Sequence, residues 1–157
     1  MKFLLILFLL IVIAIALLIC MTYWTQEFNT NQKIFLSGVV PSPRPDGFYN
    51  GSAFLTGSWL GKKFDANNGT GINVFADSSG GQVEKYPFKT YVASGIRDTN
   101  LQVLKIDYNL PENPFWLRVI LDEIVETAPG QYIGKLHLRI IPGFSFSPLY
   151  FFLSKPL

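Results

Sequence analysis

Cysteine is almost missing from this chain. The only one among 157 residues is Cys20, inside an apolar run. The remainder therefore has no disulfide and must stand on its own apolar core. Histidine is equally scarce, with His137 alone. A zinc site would need His137 plus carboxylates, and no spacing points to one. No G-x-S-x-G elbow, P-loop, C-x-x-C or H-E-x-x-H occurs, so none of the reaction classes those motifs carry is signalled, and no cofactor is implied. Charge of one sign is lacking too. Thirteen basic and eleven acidic residues leave a net charge of +2, too weak a field to recruit nucleic acid or acidic partners.

What is present in quantity is apolar. Phe3 to Met21 is a run of 19 consecutive apolar residues, preceded by Lys2 and followed by Thr22-Tyr23-Trp24. As a helix it would span roughly 28 Å, close to the ~30 Å hydrocarbon core of a bilayer. A soluble buried helix is rarely apolar on every face. The run exceeds the ~7–15 apolar residues of a cleaved signal, and no A-x-A-like site follows it. Tyr23 and Trp24 suit the interfacial aromatic belt. The reading is a signal anchor over residues 1–24, with the lipid bilayer as partner through Phe3–Met21; secretion after signal cleavage is the alternative. Lys2 before the span, against Glu27 and Lys33 after it, places the N-terminus in the cytoplasm and the following domain outside it.

Residues 25–46 read as a linker. Polar Gln26, Asn29, Asn31 and Gln32 precede a stretch with prolines at 41, 43 and 45, which favours extended chain. Ile34-Phe35-Leu36 and Val39-Val40 interrupt it, and one of them could pack as a first strand. From Gly47 to Leu157, about 110 residues suffice for one apolar core. Short apolar runs there are divided by Gly, Asn, Asp and Pro, the pattern of an antiparallel β fold. Candidate strands are Ala53–Trp59, Ile72–Ala76, Val83–Ser94, Leu101–Tyr108, Glu123–Thr127, Tyr132–Ile141 and Pro148–Leu153. Asn113-Pro114, followed by Leu117, Ile120 and Leu121 at helical spacing, predicts one short helix from Pro114 to Asp122. The expected fold is mainly β: a small antiparallel barrel or barrel-like domain with one short helix, preceded by a single transmembrane helix.

Alternation assigns faces. Tyr86, Phe88 and Val92 share one side of their strand; Leu136, Leu138 and Ile140 share one side of theirs, with Lys135, His137 and Arg139 opposite. The cationic neighbours of His137 would repel a metal. Its face reads as solvated or, alternatively, as a polar lining of a cavity. Asp122, Glu123 and Glu126 read as an exposed acidic face with Arg118 as helix partner, or as candidate acid/base carboxylates if buried. Asn50-Gly51-Ser52 and Asn68-Gly69-Thr70 match the glycosylation sequon.

Gly57-Ser58-Trp59 resembles the G-x-W signature of lipocalins and related calycin barrels. The resemblance implies that Trp59 closes one barrel end, with an arginine from a late strand packed over its indole, for which Arg139 is the candidate. It also implies a small apolar or amphipathic ligand, and the expected ligand-binding residues are Trp59, Tyr86, Phe88, His137 and Arg139. Phe144 and Phe146 belong to a final strand or rest on the lipid surface. The leading expectation is a membrane-anchored, extracytoplasmic, non-enzymatic binding domain. An envelope structural or protein-interaction domain with a filled core is the alternative, and an enzyme using His137 or the Asp122, Glu123 and Glu126 carboxylates ranks third. Protein partners are not indicated.

Overall fold

The structure, a computed structural model, describes residues 2–53 and 57–156. Helix α1 runs over Lys2–Glu27 and is exposed along nearly all of its apolar length; its buried residues are Thr22 and Thr25. It is long and apolar enough to cross a membrane. The chain then turns at Phe28-Asn29 into α2, Thr30–Ser37. Asn29 caps α2, its side-chain oxygen accepting from the Asn31 N–H at 2.9 Å. Gly38 ends the helix where α2 lies against the sheet. A Cβ there would stand 2.5 Å from Val125 Cγ2, so only glycine allows the approach.

Eight antiparallel strands follow in simple up-and-down order and close on themselves. They are β1 (Gly47–Ala53), β2 (Trp59–Asp65), β3 (Thr70–Ala76), β4 (Gln82–Ser94), β5 (Gln102–Asp107), β6 (Ile120–Ala128), β7 (Gln131–Ile141) and β8 (Phe144–Ser154). Closure comes from β1 pairing β8, with Asn50 opposite Ser154 and Ala53 opposite Phe151. A closed barrel leaves no sheet edge for another chain to extend. Tyr49, Phe64, Phe88, Leu104, Ile124 and Phe151 are among the inward-facing residues of the core. A second apolar cluster lies outside the barrel wall, where Phe35 of α2 packs on Val103, Val125, Ile133 and Tyr150.

The mainly β barrel with an apolar N-terminal helix matches expectation; several local assignments do not. The short helix is α2, not Pro114–Asp122. The segment 111–119 is a series of turns, with Leu117 N–H bonding Pro114 O and Ile120 N–H bonding Leu117 O. The β-branched run Val119-Ile120 continues into β6 instead of a helix, as its propensity favours. Of the two runs of which one could pack as a first strand, Ile34-Phe35-Leu36 is helical, while Val39 makes a single antiparallel bridge to Glu126. The expected strand Ala53–Trp59 is divided: its first residue ends β1, Gly57-Ser58 form a turn, and Trp59 opens β2; residues 54–56 lie outside the described residues.

Two β-bulges position the interior. One lies in β2 between Trp59 and Gly61, where Gly61 takes φ +148°. It brings Trp59 and Lys62 to the same, inward side, which strict alternation forbids. The other leaves Tyr86 unpaired between Pro87 and Lys85, opposite Ile72 and Asn73. Tyr86 has φ +64°, the one non-glycine residue with positive φ among those described. Such a conformation costs on the order of 1–3 kcal/mol and concentrates at functional sites.

Candidate functional site

The end of the barrel bearing the β5–β6 loop opens into a cavity of about 400 Å³. Its walls are apolar: Trp59 of β2, Phe75 of β3, Tyr86 of β4, Trp116 and Leu117 of the β5–β6 loop, and Phe151 of β8. The Trp59 indole lies over Gly51, where a Cβ would meet it at 2.4 Å, and meets Phe151 edge-on at 6.0 Å. Trp116 reaches across the mouth to Tyr86, centroids 5.9 Å apart.

The floor is polar, and this decides the chemistry. Lys62 and Asp122 are each only 3% exposed and face one another, Nζ to Oδ2 at 3.1 Å. Lys62 also donates to Asn73 Oδ1 at 3.0 Å and contacts the Tyr108 hydroxyl. Its ammonium sits 5.0–5.5 Å from the ring centroids of Trp59, Phe88, Tyr108 and Phe151, an aromatic cage that offsets part of its desolvation. Trp59 Nε1 donates to Asn73 Oδ1 at 3.1 Å. Asn73 Nδ2 donates to Tyr86 O at 3.1 Å and to the Tyr108 oxygen at 3.0 Å. Burial lowers the Lys62 pKa from its ordinary value, and the Asp122 carboxylate opposes that shift only in part. Burial, followed by the Asp122 charge, pushes the Tyr108 phenol well up, so it remains a donor.

One atom of this network is left over. Asp122 Oδ1 is buried and has no hydrogen-bond partner among the described residues. Lys62 spends its three donors on Asn73, Tyr108 and Asp122 Oδ2, so it has none left for Oδ1. A buried acceptor without a partner costs roughly 1–3 kcal/mol, more when charged.

The sequence-expected residues divide around this cavity. Trp59 and Tyr86 form part of its wall. Phe88 lies fully buried beneath, against Lys62 and Tyr108. Arg139 is on the outer face, its Nη2 2.9 Å from Asp107 Oδ1; the cation beside Trp59 is Lys62. His137 also faces outward but is not solvated. It is 0% exposed, with Nε2 3.0 Å from Glu123 Oε2 and Nδ1 2.9 Å from Ser147 Oγ.

Ser147, His137 and Glu123 together have the outline of a nucleophile, base and orienting acid. All three are 0% exposed, so the hydroxyl has no surface from which to meet a substrate. Their bonds go to structure. Ser147 N–H donates to Thr22 Oγ1 of α1 at 2.8 Å, Ile96 N–H donates to Glu123 Oε1 at 2.7 Å, and Lys105 pairs with the same carboxylate. Next to them Lys135 pairs with Asp98, which accepts from Gln32 of α2 at 2.8 Å, and Tyr150 OH donates to Gln32 Oε1. This outer network fastens both helices and the 95–100 loop to the barrel wall. Burial pushes the Glu123 carboxyl upward, but His137 and Lys105 outweigh it and hold it at about 2. The expected exposed acidic face is thus corrected. Asp122 points into the barrel, Glu123 into the outer network, and Glu126 accepts from Gly130 N–H at 3.1 Å.

A larger depression of about 660 Å³ lies outside, between the 39–46 segment and the β6–β7 turn. Its carboxylates are already engaged by backbone: Asp46 by Ala66 N–H at 3.1 Å, Glu126 by Gly130.

No protein-family model matches the chain, and no curated protein matches it. A protein from Thermomonospora curvata, known from its crystal structure, is similar in fold: TM-score 0.58 at 17% identity, over 82% of this chain and 86% of that one. At that identity the likeness extends to the fold alone.

Proposed function

We propose that the protein is a membrane-anchored binding domain that takes a small amphiphile, head first, into its barrel. α1 crosses the bilayer, Lys2 keeps the N-terminus cytoplasmic, and the barrel works outside the cytoplasm. The observation that carries the reading is the polar floor beneath apolar walls, where Asp122, beside Lys62, Asn73 and Tyr108, keeps its Oδ1 without a partner among the described residues. The ligand this favours has a hydrogen-bond donor at one end, such as a hydroxyl, and an apolar body that fits against Trp59, Phe75 and Phe151. A cavity of about 400 Å³ falls within the usual range of roughly 300–1,000 Å³ for small-molecule sites. It weighs against a domain with a filled core. Binding, not catalysis, is the role: Lys62 and Asp122 neutralise one another, and Tyr108 holds its proton.

Contact quenching tests this. In the full chain in phosphatidylcholine nanodiscs, Trp24→Phe and Trp116→Phe leave Trp59 as the one indole. 2-Bromo-1-undecanol, whose bromine lies beside the head, should quench it saturably, and 2-bromoundecane should not. Equal quenching by both, linear in their concentration in the lipid, would defeat the reading.

A further inference from the structure

The barrel has a membrane side, and its direction is written in the contacts of α1. Thr22 Oγ1 accepts from Ser147 N–H, and Thr25 Oγ1 bonds Pro148 O at 3.3 Å. One turn forward along α1 is therefore one residue forward along β8. Followed backwards from Thr22, α1 runs toward the start of β8 and the β7–β8 turn at Pro142-Gly143. In an up-and-down barrel the turns after odd-numbered strands gather at one end, so the β5–β6 loop and the cavity mouth lie at this same end.

That end carries exposed apolar side chains. Phe115 is 82% exposed, Trp116 51% and Ile140 54%, and Ile141 and Phe144 are exposed as well. Three of the chain's four arginines lie near these residues in contact or in sequence. The Arg97 guanidinium lies 5.5 Å from the Phe144 ring, Arg118 bonds Asn113 O at 2.8 Å within the loop that carries Phe115, and Arg139 precedes Ile140 on β7. The opposite end shows no such grouping at the β2–β3 turn, which presents Asn67 and Asn68. Aromatic and aliphatic tips with cations near them suit an interfacial layer of acyl chains beneath phosphates.

We propose that this rim rests in the interface of the bilayer that α1 crosses, with Arg97, Arg118 and Arg139 level with lipid phosphates. The cavity mouth then faces lipid instead of water. The inference rests on α1 crossing the membrane and does not depend on the cavity being filled.

Nitroxide labels on the full chain in phosphatidylcholine nanodiscs separate the cases. The native Cys20 reports the span. With Cys20→Ala, labels at Phe115→Cys and Asn67→Cys report the rim and the far end. Nickel-chelate broadening should be lost at positions 20 and 115, with oxygen broadening gained, and retained at 67. Adding Ile140→Ser, Ile141→Ser and Phe144→Ser should restore nickel access at 115. A label at 115 as open to nickel as that at 67, while Cys20 remains protected, overturns the rim docking alone. Nickel access at Cys20 overturns the span on which it rests.

Discussion

Replacing Lys62 by methionine keeps most of the side-chain volume and removes the charge. The Asp122 carboxylate, 3% exposed, is then left with the Tyr108 hydroxyl at 3.4 Å. Breaking one side of a buried pair costs roughly 3–5 kcal/mol. Asp122→Leu leaves the ammonium better provided, since Asn73, Tyr108 and four ring faces remain around it. That variant should lose less, about 1–3 kcal/mol. The double variant removes both desolvated charges and the unpartnered Oδ1, and should fall between neutral and about 4 kcal/mol more stable than the parent. Urea unfolding of the full chain, followed by the far-ultraviolet strand signal at constant m, measures all three. The doubly substituted protein should at the same time lose amphiphile binding. If the single losses are each below about 1 kcal/mol and simply add, the pair is not the coupled floor described above.

The pH dependence should come from the outer network. A carboxyl held at about 2, against an ordinary 4.5, gives stability that is complete above pH 4.5 and is lost as the pH falls toward 2. The loss is about 3 kcal/mol, and it should be absent in Glu123→Gln when both are unfolded by urea across that range. Phe35→Ala removes the fully buried ring that docks α2 and should cost about 3–5 kcal/mol. Hydrogen exchange should then report α2 released before the barrel opens. Trp59→Ala and Arg139→Ala should be additive within about 0.5 kcal/mol in a double-mutant cycle, because Arg139 is engaged by Asp107 on the outer face. Trp59 and Lys62, 5.5 Å apart, should couple.

Much of the fold is legible in the residues because strand alternation and turn chemistry are local signals. In β7 the division of Leu136 and Leu138 from Lys135 and His137 reads correctly. That the second set is buried does not, since the cover comes from Thr22, Gln32 and Phe35, a hundred residues away or more. α2 is hidden because Ile34-Phe35-Leu36 is too short to show a helical period. At the cavity, Trp59 and Tyr86 are visible as aromatics at strand positions. Lys62 is not: the bulge at Gly61 shifts the pattern by one, and a lysine next to Lys63 reads as solvent-facing. The Asp122–Lys62 pair joins β6 to β2 across the barrel, a contact that no local spacing encodes.

The claim that an amphiphile places its donor head against Asp122 is tested most directly at the Trp59 indole N–H, which bonds the same Asn73 oxygen as Lys62. Three tryptophans give three indole signals in a nitrogen–proton spectrum of the labelled full chain in nanodiscs. 1-Dodecanol should move the Trp59 signal saturably, dodecane should not, and the Lys62→Met/Asp122→Leu protein should show no response. A Trp59 signal that stays fixed while that of Trp24 shifts as the alcohol enters the bilayer would contradict the claim.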